Sequence, residues 1–175
     1  MQSTSMEPAS ILAAEYLREL ESEIRATREC LGNVPWEKAE WKPHEKSMNL
    51  GYLALLVADI PRWIALSIED SLIDFATYKH FQPKSTEELV GHFDENIAAA
   101  RTSLVGASDE VLKQTFELKN HGHLLFSMPK DENISSSINH MVHHRGQLTV
   151  FLRLLDIAIP SIYGPSADSG GFGQL

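Results

Sequence analysis

The chain has 175 residues and a mass of 19.6 kDa, with 43% hydrophobic and 22% charged residues. Those values exclude a disordered or fibrous polypeptide and predict one domain spanning residues 1–175. Fifteen Lys and Arg against 24 Asp and Glu leave a net charge of −9, so no nucleic-acid and no membrane partner is expected, because both surfaces would repel the chain.

From the start of the chain, MQSTSMEPAS has no basic or apolar run of the kind a secretory signal needs. A first helix is predicted over Ser10 to Leu31, with Ile11, Leu12, Tyr16, Leu17, Leu20 and Ile24 on helical spacing and Gly32 as its stop. The single cysteine, Cys30, lies in this helix and cannot close an internal disulfide, which fits a cytoplasmic setting. Glu29 beside it disfavours a thiolate, so Cys30 reads as a packed residue. A connector punctuated by Pro35 and Pro43 follows.

The second helix is predicted from Ser47, as N-cap, to Ser71, with Leu53, Leu56, Ile60 and Trp63 on one stripe and a kink at Pro61. Its apolar run Leu53 to Ile60 is too short to span a bilayer. Ser85-Thr86-Glu87-Glu88 has the form of a capping box and opens a third helix that runs to Val105. Beyond it the period changes. Lys113 to Leu118 alternates, Asn120-His121-Gly122 supplies turn residues and Leu124 to Met128 is apolar, a pattern that predicts a β-hairpin. The fourth helix is predicted from Glu132 to Asp156, before a Pro-, Gly- and Ser-rich tail carrying Tyr163 and Phe172. The fold class that results is all-α, a four-helix bundle with one long crossover and a small hairpin between helices three and four.

Eight histidines are present, five of them between His121 and His144. On the last helix His140, His144, Leu148, Phe151 and Leu155 fall in an arc of about 80°, which is expected to face the interior. Two imidazoles four residues apart suit chelation of one divalent metal, and equally suit neutral side chains hydrogen-bonded in the core. His143 is about 60° off that arc. His121 and His123 flank a turn and are expected in solvent, while His44, His80 and His92 have no partner at ligand spacing.

His140-x-x-His143-His144-Arg145-Gly146-Gln147-Leu148, followed by Phe151-Leu152-Arg153-Leu154, resembles the last-helix signature of the DinB-like proteins, a family of bacterial bundles. Trp41-Lys42-Pro43-His44-Glu45-Lys46-Ser47-Met48-x-Leu50-Gly51 resembles the family's entry to helix two. Phe126-Ser127-Met128-Pro129 and Ile162-Tyr163-Gly164-Pro165-Ser166-Ala167-Asp168 resemble its hairpin exit and tail. The resemblance implies a four-helix bundle in the superfamily of metal-dependent thiol transferases. It also implies a homodimer and a nickel or zinc ion held by three histidines, one from helix two and two from the last helix.

The last two carry over to His140 and His144; the first falls at Leu56, which cannot ligate. Asp59, one turn away, is the substitute ligand to consider, against a plain edge residue partnered by Arg62 or water. Arg145 is read as an anion-steadying group or a salt bridge, and Gly146 as a point of close helix packing. Two functions follow. One is a metal-dependent transferase or hydrolase acting on a small-molecule substrate. The other is a metal-free homodimeric bundle that binds a small molecule or a protein. The dimer is expected to bury Trp63, Ile64, Leu66 and Ile68.

Overall fold

The computed structural model describes residues 10–170; residues 1–9 and 171–175, Phe172 among them, lie outside the described residues. Four helices begin where one side chain takes up an otherwise orphaned backbone N–H. Ser10 Oγ accepts from Ala13 at 3.2 Å to open α1 (Ile11–Gly32). Asn49 Oδ1 accepts from Tyr52 at 2.8 Å to open α2 (Leu50–Glu69). Ser85 Oγ accepts from Glu88 at 3.1 Å to open α3 (Thr86–Gly106), and Ser108 caps the single turn α4 (Asp109–Leu112). The last helix, α5 (Lys130–Leu154), follows Pro129 without a side-chain cap.

Three details differ from the sequence expectation. Asn49, not Ser47, caps α2, because the Ser47 N–H closes a turn onto the His44 carbonyl at 3.0 Å. Glu88 reaches back to the Lys84 N–H at 2.8 Å, one residue earlier than the reciprocal bond of an ideal capping box. A third strand is present beside the expected hairpin, while Pro61 lies inside the continuous helix α2 as expected.

The predicted hairpin is present as β2 (Thr115–Asn120) and β3 (His123–Pro129), and its turn residues His121 and Gly122 have φ of 51° and 76°. Two successive positive φ values define a type I′ turn, which glycine accepts without strain. A third strand, β1 (Leu72–Asp74), pairs parallel to β2, so the sheet order is β1-β2-β3. Three residues are too few to show a period in the sequence. Asp74 explains the extra strand's position, since its carboxylate accepts from the His121 and Gly122 N–H groups at 3.0 and 2.8 Å. The Ala76 N–H, which donates to Oδ1 at 2.9 Å, and then the Gly122 and His121 N–H groups hold the Asp74 carboxyl below the usual carboxylate range. The protein is therefore mostly helical with a small three-stranded sheet, rather than all-helical with a lone hairpin.

Helix α1 packs on α3 and α5, and α2 packs on the same two, so the core lies among four long helices. Gly51 permits one close approach, because a Cβ there would lie 2.9 Å from the Cβ of Ala39. Gly146, by contrast, is exposed, and a Cβ there would meet nothing within 4 Å, so it serves no close packing. By length and mean hydropathy α2 is apolar enough to cross a membrane, yet 61% of that window is buried inside the fold. Ile64 is fully buried and Trp63, Leu66 and Ile68 are half-buried. The face expected to dimerise is thus largely covered within the chain.

One charged cluster crosses the core. Arg145, 1% exposed, places Nη1 2.6 Å from Glu23 Oε2 on α1 and donates to Thr27 Oγ1 at 3.0 Å. Its Nη2 donates to the Tyr163 hydroxyl at 2.9 Å, and that hydroxyl donates to the Glu23 carboxylate at 3.0 Å. The role of Arg145 is therefore a structural ion pair tying α1, α5 and the tail. Glu23→Gln should destabilise the fold by about 3–5 kcal/mol, because it strands a buried guanidinium. The double variant Glu23→Met with Arg145→Met should lose clearly less. Urea denaturation of the two variants checks this, and equal losses would contradict it.

Candidate functional site

Eleven residues make about three full turns of α-helix. Asn133 and His144 therefore share one face of α5, and Ser67 and Leu56 share one face of α2. These helices run antiparallel. Lys130 Nζ donates to the Ile68 carbonyl at 2.9 Å, Asn133 Nδ2 donates to Ser67 Oγ at 2.6 Å, and further along the Trp63 and His140 rings lie 5.8 Å apart. Three turns beyond the Asn133–Ser67 contact, continuing the same register would bring Leu56 to the level of His144.

His140 and His144 point their Nε2 atoms at each other at 2.8 Å, and His144 Nδ1 lies 2.7 Å from Gln147 Oε1. With the glutamine oxygen as acceptor, His144 carries its proton on Nδ1 and accepts at Nε2 from His140. Burial first, then the neighbouring His144 and His143, hold the His140 imidazole below its ordinary value of 6.5. Beside it lies a cavity of about 220 Å³ walled by Trp63, Phe75, Phe116, Phe126, Ser137 and His140.

The histidine face is not the core face, contrary to the sequence expectation. The core stripe of α5 is Ile134, Ile138, Met141, Arg145, Leu148 and Leu152, all buried, while His140, His144, Phe151 and Leu155 are only half-buried. A buried arginine in the middle of that stripe hides it from a reading based on apolar residues alone. His143, His121 and His123 are exposed.

A three-histidine metal centre would need a third donor beside the imidazole pair. Two ligands with bonds of about 2.1 Å at the tetrahedral angle lie about 3.4 Å apart, so the imidazole pair, with its nitrogens at 2.8 Å, would need only a small opening to chelate. No third donor joins it. Leu56 offers no lone pair, and among the described residues no group of three or more His, Cys, Asp or Glu side chains is placed to hold a metal ion. The residues present do not fit a resident three-ligand centre.

Asp59 belongs to a different cluster. It is 3% exposed, and its Oδ1 accepts from His92 Nε2 on α3 at 2.7 Å. Asn96 Nδ2 lies 3.0 Å from the same nitrogen and donates to the Ala58 carbonyl at 2.9 Å, while Phe81 stacks on the His92 ring at 4.3 Å. Arg62, the partner expected for Asp59, pairs with Glu69 instead. His92 is the residue that sequence reasoning missed. It lies 33 positions from Asp59 on another helix, and no local spacing could reveal the pair. Tyr78 lies close by, and burial followed by the Asp59 carboxylate pushes its phenol well above the ordinary range. Burial likewise pushes the Cys30 thiol up to about 11, as expected for a packed, unreactive cysteine.

Comparison with known proteins agrees with this architecture. The sequence profile of the DinB family matches residues 1–170. A DinB-like protein from Bacillus cereus ATCC 10987 superposes with a TM-score of 0.65 at 23% identity, covering 86% of this chain and 97% of its own. The DinB-like protein YjoA from Bacillus subtilis superposes with a TM-score of 0.63 at 17% identity, covering 81% and 92%. The uncharacterized protein YrdA of Bacillus subtilis strain 168 is 42% identical over 41 residues, and the match spans only 25% of its length.

The lowered His140 value has a consequence for stability. Below 6.5 the unfolded chain takes up a proton that folded His140 resists, so stability falls as pH drops through that value. His140→Gln should flatten the acid-side loss. Urea midpoints measured from about pH 7.5 to about pH 5 check this; an unchanged slope would contradict the lowered value.

Proposed function

Because the chain belongs to the DinB family, we propose that it is a small-molecule-binding member of that family without a resident catalytic metal. The observation that supports this reading is the imidazole pair itself, with His140 and His144 bonded to each other and no third His, Cys, Asp or Glu grouped with them among the described residues; the α2–α5 register, continued from Asn133–Ser67, brings Leu56 to the level of His144. The two imidazoles instead satisfy each other and Gln147. The aromatic cavity of about 220 Å³ beside His140 supplies the binding volume, and Asn133, Ser136 and Ser137 supply polar contacts along one wall.

The near-chelating spacing of the imidazole pair favours one alternative, a metal-dependent transferase or hydrolase whose ion is completed by water or by its substrate. Elemental analysis of protein purified without an affinity tag separates the two. The proposal expects far less than one nickel or zinc per chain, and a stoichiometric metal would overturn it. In the wild type, added zinc or nickel should bind weakly and be lost on mild acidification, because the imidazoles take up protons. Leu56→His should gain at least about tenfold in affinity, or 1.4 kcal/mol. No gain would mean that α2 and α5 do not meet in the stated register. Indole, as an apolar aromatic probe, should raise the Tm of the wild type but not of Ser137→Leu, which fills the cavity.

A further inference from the structure

Among the described residues no Lys, Arg, Asp or Glu lines the cavity of about 220 Å³ beside His140. That lining suits a neutral occupant. Four aromatic rings give it flat apolar walls: Trp63 and Phe75 pack edge to face at 6.3 Å, and Phe116 and Phe126 lie 6.4 Å apart. An apolar cavity of about 150 Å³ admits benzene, so this one has room for a small fused ring system and not for a drug-sized ligand.

The polar wall, supplied by α5, is biased toward accepting hydrogen bonds. Ser67 Oγ donates to the Trp63 carbonyl at 2.7 Å, so it is a lone pair of Ser67 that meets Asn133 at 2.6 Å. This fixes the Asn133 amide, with Nδ2 as the donor to Ser67 and Oδ1 as an acceptor left over. Neither Asn133 Oδ1 nor the Ser137 hydroxyl, one turn further along, has a hydrogen-bond partner among the described residues. Asn133 and Ser137 are only 7% and 6% exposed. Yet the fully buried side-chain atom left without a partner among the described residues is Trp63 Nε1, and neither of these oxygens. Both therefore open onto the cavity that their residues line.

His140 adds a second acceptor of fixed role. Its proton sits on Nε2, toward His144, which leaves a bare lone pair on Nδ1 of a ring that borders the same space. The Trp63 N–H is sealed within the wall and offers an occupant no donor. An occupant without a donor of its own would leave the buried Asn133 oxygen unpaired, which is costly.

We propose that this cavity selects a neutral, flat aromatic molecule with an N–H or O–H donor on its edge, which Asn133 Oδ1 accepts, with Ser137 Oγ and His140 Nδ1 beside it. The inference rests on the reading of this cavity as a ligand site and specifies what the ligand must carry.

The test uses the full chain and two probes of nearly equal shape, indole and benzofuran, in which a ring oxygen replaces the N–H. Binding is followed by calorimetry and tryptophan fluorescence. Without an acceptor in the cavity, desolvation of the N–H would make indole the weaker ligand. Indole should instead bind at least about fivefold more tightly than benzofuran. Asn133→Leu should remove that preference. Should this variant fail to fold, the N–H proton resonance of indole bound to the wild type decides, and it should move downfield on binding. Equal or tighter binding of benzofuran, or an unshifted N–H resonance, would overturn the proposal and leave the cavity as a ligand site. Saturable binding of neither probe would overturn both.

Discussion

The ion pair between Arg145 and Glu23 is the constraint from which the rest of the site follows. A guanidinium 1% exposed, held by a carboxylate, a hydroxyl and a phenol, tolerates little change in the rotation of α5 about its axis. Successive helical residues are about 100° apart. Fixing Arg145 toward α1 therefore turns His144 toward α2. The same cluster holds Tyr163, whose ring is exposed while its hydroxyl reaches Glu23, and so ties down the tail. Arg153 and Asp168 form a second tether a few residues further along.

What α2 presents to α5 then decides the chemistry. At one end of their interface polar groups meet polar groups, with Lys130 on a carbonyl and Asn133 on Ser67. Three turns along, the register brings Leu56 to the level of His144. A histidine there would join two others; a leucine leaves the pair to bond with each other and with Gln147. The outer side of α2 is used as well. The sheet and the segment after β1 cover it incompletely and leave two cavities that share the Trp63–Phe75 wall. One is bordered by a weakly basic imidazole and the other by a buried carboxylate.

Much of the fold was legible because its signals are local. Ser10 and Ser85 announce their helices by hydrogen bonds within three residues, and His121-Gly122 announces the hairpin by the only backbone shape its two residues need to share. The family resemblance, drawn from motifs between Trp41 and Asp168, singled out the histidine pair and the leucine at position 56. Other features left no local trace. Strand β1 exists because Asp74 caps a turn 47 residues later. The His92–Asp59 pair joins two helices through space, and the core stripe of α5 is interrupted by the very arginine that orients it. Polar residues buried in partnership defeat a reading that equates the interior with apolar side chains.

The central claim is geometric: α5 is rotated so that His144 faces Leu56 across the α2 interface. It is tested most directly by nuclear Overhauser contacts in protein carrying labelled leucine methyl groups and otherwise unlabelled histidine rings. The account predicts a clear contact between the Leu56 δ-methyls and the His144 ring protons, and its loss in Arg145→Met, where the clamp is gone. A wild-type spectrum in which Leu56 shows no contact with His144, while Ser67 still meets Asn133, would contradict the account.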